Sequence, residues 1–166
     1  KIFGGDNVSI QLVGDYFDDC LNAAQNFCQE QGAHFLSPFD DADVIEGQAS
    51  VAVEIERQLG STPDHIILPV GGGGLSSGML SYFGTSSQFT LVEPLGGACL
   101  WAALIAGKPV KLDKVDTFAD GAAVGQIGQR TFECLKSIGL ANVLRIPEDR
   151  ICITMLEMLN IEGIVL

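Results

Sequence analysis

Four consecutive glycines, Gly71 to Gly74, follow the apolar run Ile66-Ile67-Leu68-Pro69-Val70 and precede Leu75-Ser76-Ser77-Gly78. Each ordered glycine loses more backbone entropy than alanine, by roughly 0.5 to 1 kcal/mol, so four in a row imply a need for bare backbone. Strand, glycine loop and helix start, in that order, aim unpaired amides and the positive end of a helix dipole at one point. That is the chemistry of an anion site, with phosphate as the natural occupant. The loop alone leaves the ligand open. Gly72-x-Gly74 followed by Glu93, 19 residues after Gly74, imitates a dinucleotide fingerprint, although Ser77 stands where a third Gly or Ala belongs. No Gly-Lys-Ser/Thr follows, which excludes the nucleoside-triphosphate loop.

The remaining chemistry-bearing residues read more plainly. Glu93 by itself is expected to be a solvated strand-end carboxylate, because carboxylates are seldom buried unpaired. Asp40, Asp41, Asp43 and Glu46 resemble a cation cluster, yet acidic side chains at a helix start are stabilising in their own right. His34 and His65 have no second ligand at metal or triad spacing, so no metal site is assigned. Trp101, on an apolar helix, is read as core. The five cysteines are odd in number and form no Cys-x-x-Cys pair, which fits reduced thiols in a cytoplasm or an organellar matrix.

Alternating elements must position the loop. Val8 to Leu12 reads as a strand. A helix follows, opened at Gly14-Asp15 with Asp15 as N-cap, carrying Phe17, Cys20, Leu21, Ala24, Phe27 and Cys28 at helical spacing, and stopped by Gly32. His34 to Leu36 reads as a strand, and Ser37-Pro38-Phe39-Asp40-Asp41 as a break where the chain crosses between domains. Asp43 with Glu46 suggests the start of one helix over 44–59, with Val44, Val51, Ala52, Ile55 and Leu59 buried and Gly60 as the stop. Ile66 to Val70 reads as a central parallel strand, apolar on both faces. Further on, Phe89 to Val92 is a strand and Ala98 to Ala106 a helix stopped by Gly107. Ile127, Thr131, Cys134, Leu135 and Ile138 mark another helix, and Val143 to Ile146 a strand. Ile151 to Leu159 is a helix with one apolar face, and Ile164-Val165-Leu166 begins a buried strand. The alternation gives an α/β fold, an open parallel sheet with flanking helices. Both ends read as cut, since the chain begins without methionine and stops inside an apolar run.

A chain of 166 residues can bury roughly 70% of its unfolded surface. With 47% hydrophobic and 18% charged residues it belongs with globular proteins and not with disordered ones. Nine basic against 21 acidic residues give a net charge of −12, a field that repels nucleic acid and anionic membranes. The apolar stretch Ala98 to Ala106 is far shorter than the roughly 20 residues a membrane span needs. A phosphate site remains compatible with this charge, because backbone amides bind anions without basic side chains.

Three motifs in order then resemble one family, the threonine and serine dehydratases of the tryptophan-synthase-β-like pyridoxal phosphate fold. Pro69-Val70-Gly71-Gly72-Gly73-Gly74-Leu75 looks like the family's phosphate cup. Pro38-Phe39-Asp40 followed by Val44-Ile45-x-Gly47-Gln48 is similar to its segment entering the large domain, and Phe118-Ala119-Asp120-Gly121-Ala122-Ala123-Val124 to its loop beside the cofactor ring. The resemblance covers essentially the whole chain. It implies that residues 1–38 end a small domain and 39–166 form part of a large cofactor-binding domain. It implies pyridoxal 5'-phosphate held by the amides of Gly71 to Leu75, with the backbone near Gly121 against the ring's hydroxyl edge. It further implies a lyase of isoleucine biosynthesis that turns L-threonine, or L-serine, into a 2-oxo acid and ammonia, as a homo-oligomer when full length.

The family's other motifs are absent from these residues: the Ser-x-Lys-x-Arg-Gly segment whose lysine bonds the cofactor, the Ser-x-Gly-Asn-His loop for the substrate carboxylate, and the serine facing the ring nitrogen. Lys1, Lys108, Lys111, Lys114 and Lys136 sit in no such context, so no catalytic residue is assigned and the chain alone is expected to be inactive. Some relatives hold a divalent cation through the glutamate matching Glu93 and an acid six residues later, where this chain has Cys99. Two readings stand beside the dehydratase: a Rossmann-like dinucleotide-binding module, and a non-catalytic paralogue that kept the cup and lost the lysine.

Overall fold

The computed structural model describes residues 5–14 and 17–165, in two units that divide between Leu36 and Ser37. In the first, a 3-10 turn at Gly5–Asn7 leads into irregular chain, then helix α1, Phe17–Gln31. Asp18 and Asp19 in its first turn complement the helix dipole. It stops at Gly32 (φ 63°), where the Ala33 N–H donates to the Cys28 carbonyl, the bond of a glycine-stopped helix end. The expected N-cap, Asp15, lies outside the described residues. Neither expected strand forms: Val8 to Leu12 and His34 to Leu36 are irregular, and Leu12 is 96% exposed. A strand exists only by pairing, and among the described residues nothing pairs with either segment. No residue of α1 is fully buried: Leu21, Ala24 and Cys28 are partly buried, and Phe17 and Phe27 are exposed.

The second unit is built on three parallel strands in the order β1-β2-β3: β1 His65–Pro69, β2 Gln88–Pro94 and β3 Val143–Ile146. Helices α2 Ala42–Gln48 and α3 Ser50–Leu59 precede β1, α4 Gly74–Phe83 connects β1 to β2, α5 Cys99–Ala106 and α6 Gln129–Leu135 lie between β2 and β3, and α7 Glu148–Glu157 with a π turn at Met158–Glu162 follows β3. The parallel α/β alternation read from the sequence is therefore present. The central strand, however, is β2, and β1 lies at an edge of the described sheet. Ile66, Leu68 and Val70 face the helices, while Ile67 on the opposite face is 67% exposed.

The core is one-sided. Val70, Leu91, Cys99, Leu100, Ala103, Ile127, Phe132, Leu135 and Val143 form one cluster, and Ala52, Ile66, Met79, Phe83 and Phe89 form a second. Leu91, Leu100 and Leu135 have no exposed surface, and truncating any of them to alanine would cost about 2 to 5 kcal/mol.

The helix expected over 44–59 is two helices. Asp41, not Asp43, is the N-cap, its side chain accepting from the Asp43 and Val44 amides. The break falls at Ala49, where α4 crosses: a Cβ on Gly78 would lie 2.6 Å from the Ile45 carbonyl oxygen and 2.7 Å from the Ala49 nitrogen. Of the expected face Ala52 is buried and Val44 and Ile55 partly so, but Val51 and Leu59 are exposed and Ile45, outside that face, is buried, since α4 covers only one strip of the pair. The apolar face of α7 is also half open, with Leu156 53% exposed, and Ile164 and Val165 form no strand. Leu166 lies outside the described residues.

Candidate active site

The glycine loop joins β1 to α4 at the carboxyl end of the strand. Gly73 is the N-cap of α4 at φ 90°, a conformation that side chains other than glycine rarely adopt. The other glycines are required by close neighbours. A Cβ on Gly72 would fall 2.2 Å from carbons of the Phe39 ring. One on Gly71 would lie 3.2 Å from the Gly121 carbonyl oxygen and the Ala122 Cα, and one on Gly74 would lie 3.1 Å from the Phe39 Cβ. The structure thus brings Phe39, Gly121 and the glycine loop together from three segments that are remote in sequence.

The polarity of the loop is sorted. Its carbonyls turn into the protein: Cys99 Sγ donates to the Gly71 carbonyl at 3.4 Å, Thr131 Oγ1 to that of Gly72 at 2.8 Å, and the Ser77 amide to that of Gly73 at 2.9 Å. The N–H groups of Gly72, Gly73, Gly74 and Leu75 meet no acceptor among the described residues. Gly74 and Leu75 are also first-turn residues of α4, whose amides have no partner within the helix. Acceptors are satisfied and donors are free, which is the arrangement an anion needs. The Gly121 amide differs, donating to the Asp120 side chain at 2.8 Å, so the carbonyl of Gly121 is its group nearest the loop.

Glu93 departs from expectation. It has no exposed surface, and its two carboxylate oxygens accept from the Leu100 amide at 2.7 Å and the Trp101 amide at 2.8 Å, the start of α5. Burial pushes its pKa up to about 7, opposed by those amides, by Cys99 and by the charge of Arg145. Burial, with the charge of Glu93 next, pushes the Cys99 thiol up to about 12. Glu93 is therefore an internal helix cap, not a solvated strand-end group. Strand alternation could have flagged it, since Glu93 has the parity of Phe89 and Leu91. Trp101 is only partly buried and lies under the Arg145 guanidinium, 4.2 Å from its ring centroid.

Two residues, Asp40 and Thr131, support the loop through contacts that their places in the sequence do not show. The Asp40 carboxylate accepts from the amides of Gln129, Arg130 and Thr131 at 3.0, 2.8 and 3.2 Å, capping α6 from the far end of the unit's sequence. Thr131, fully buried on that helix, grips the Gly72 carbonyl. No local pattern marks either contact. The acidic group of Asp40, Asp41, Asp43 and Glu46 is thus partly resolved into two helix caps, and no cluster of metal-ligating side chains occurs among the described residues.

The chain is similar over nearly its whole length to several known proteins, threonine dehydratases among them. It is 40% identical over 163 residues to "L-threonine dehydratase biosynthetic IlvA" of Bacillus subtilis, covering 96% of this chain and 38% of that protein. It is 37% identical to the protein of the same name from Corynebacterium glutamicum, covering 99% of this chain and 39% of the relative. The processed form of threonine deaminase isoform 2 from Solanum lycopersicum superposes with a TM-score of 0.84 at 33% identity, over 99% of this chain and 48% of that one. The chain therefore spans less than half the length of these relatives. The family model for "Pyridoxal-phosphate dependent enzyme" matches residues 1–166, and the chain belongs to that family.

Proposed function

We propose that this chain is the phosphate-binding part of a threonine dehydratase, and that the N–H groups of Gly71 to Leu75 hold the phosphate of pyridoxal 5'-phosphate. One observation carries the reading: the loop's carbonyls are bonded inward while its amides are left free at the start of α4. A phosphate there gains hydrogen bonds and the helix dipole without a basic side chain. The turn at Asp120–Ala122 packs on Gly71 and would border the cofactor ring, with Gly121 as the contact.

The cofactor supplies an electron sink that allows loss of an α-proton and then of the β-hydroxyl of L-threonine, or L-serine. These residues bind and orient; the general base and the group that bonds the cofactor belong to motifs this sequence does not contain. The names of the relatives support a biosynthetic L-threonine dehydratase, which we read as a lyase leading from L-threonine to 2-oxobutanoate and ammonia and on to isoleucine. We read residues up to about 38 as the end of a small domain and 39–166 as part of the large one, in a homo-oligomer of the cytoplasm or an organellar matrix. No helix among the described residues is long and apolar enough to cross a membrane.

The dinucleotide reading loses its main support, because both oxygens of Glu93 are engaged inside the protein and unavailable to a ribose. Calorimetric titration of the full-length protein with pyridoxal phosphate, inorganic phosphate and NAD tests the choice. Pyridoxal phosphate should bind most tightly, and Gly73→Val, which combines the φ of 90° with a Cβ 2.9 Å from that of Thr131, should abolish that preference. Tight NAD binding, or unchanged cofactor affinity in a folded Gly73→Val protein, overturns the reading.

A further inference from the structure

Thr131 lies 59 residues from Gly72 in sequence, and its hydroxyl approaches two carbonyl oxygens, that of Gly72 at 2.8 Å and that of Gly128 at 3.2 Å. A hydroxyl has one proton to give, and the shorter contact takes it. The Gly128 bond is the local one a helical threonine can always make to its own turn, so the hydroxyl has an alternative. The Gly72 carbonyl has none: no other donor reaches it among the described residues. The loop also rests on this side chain, since a Cβ on Gly73 would come 2.9 Å from the Thr131 Cβ.

Peptide planarity turns this grip into an orientation. The carbonyl of Gly72 and the N–H of Gly73 belong to one trans peptide unit and point in opposite directions. Drawing the carbonyl into the protein therefore presents the Gly73 N–H on the opposite side. Thr131 is itself fixed, because the Asp40 carboxylate holds the amide of Thr131 and those of the two residues before it. Gly128 leaves room for that carboxylate, as a Cβ there would lie 2.4 Å from the Asp40 Cγ.

We propose that Thr131 is a positioning residue of the phosphate site, setting the direction of the Gly73 N–H through its hydrogen bond to the Gly72 carbonyl. The inference rests on the phosphate reading above and deepens it. It is tested in the full-length enzyme with Thr131→Val, which removes the hydroxyl, and Thr131→Ser, which keeps it. Pyridoxal phosphate affinity is read by calorimetry, and the environment of the bound phosphate by its phosphorus NMR resonance.

The valine variant should bind the cofactor about tenfold more weakly, the loss expected for one misdirected hydrogen bond, and its phosphorus resonance should move. Serine should restore both. Parental affinity in the valine variant, a weaker affinity with an unmoved resonance, or a serine variant as impaired as valine each overturns the proposal. Should the valine protein not fold, Thr131→Ala replaces it. If neither hydroxyl-free variant folds while serine does, the hydroxyl serves the fold alone and the proposal fails. Gly73→Val separates the two readings: normal cofactor binding there removes the phosphate loop itself, whereas loss there with parental binding in Thr131→Val removes only the role of Thr131.

Discussion

Replacing Glu93 by glutamine isolates the free energy of one buried carboxyl. The side chain has no exposed surface, and its pKa is pushed up to about 7, against about 4.3 for a glutamate in an unfolded chain. A group whose folded pKa is raised contributes most at acid pH, and that contribution is lost as pH rises from the unfolded towards the folded value. Integrating the linkage relation between these two values gives a loss of about 2.5 kcal/mol between about pH 5 and pH 8. Glutamine cannot ionise, so the variant lacks this term. It also offers one acceptor oxygen to the two amides of Leu100 and Trp101, a pH-independent cost of about 1 to 3 kcal/mol. The stability gap between parent and Glu93→Gln should accordingly narrow by roughly 2 to 3 kcal/mol over that pH window, because other titrations cancel in the difference. Urea unfolding of both full-length proteins at several pH values measures it. A gap that is constant, or that widens as pH rises, refutes the account and places the carboxylate in an environment that favours its charge.

Asp40→Ala should destabilise the protein by about 1 to 2 kcal/mol through loss of the α6 cap, with Asp40→Asn closer to the parent, as denaturant unfolding would show. Gly72→Ala should cost cofactor affinity as well as stability, because its Cβ meets the Phe39 ring. Gly47→Ala, in α2 with open space around it, should instead raise the melting temperature by the few degrees that about 0.5 to 1 kcal/mol provides. Incubated with L-threonine and pyridoxal phosphate, the 166-residue chain by itself should form no 2-oxobutanoate above a protein-free control, since none of its lysines occupies the cofactor-bonding motif.

What the sequence determined was local. Gly32, Gly60 and Gly107 were legible as helix stops and take φ values of 63°, 72° and 70°, because the steric freedom of a missing Cβ needs no distant partner. The strands β2 and β3, the parallel alternation and the glycine loop before α4 were legible for the same reason, as each is written in a few adjacent residues. Tertiary structure decided which surfaces meet. Among the described residues it left Val8 to Leu12 without a pairing partner, split one expected helix where α4 crosses at Gly78, and exposed Ile67 on the sheet face opposite the core helices. It buried Glu93, whose desolvation depends on α5 folding back over β2 and not on its neighbours in sequence. It also joined Asp40 to an amide 91 residues away and Thr131 to the Gly72 carbonyl, contacts between groups whose types are common and whose meeting no periodicity encodes. A loop that can bind an anion is thus visible in the chain. The side chains that turn its carbonyls inward and free its amides are set by packing, because hydrogen-bond direction depends on which helix lies behind the loop.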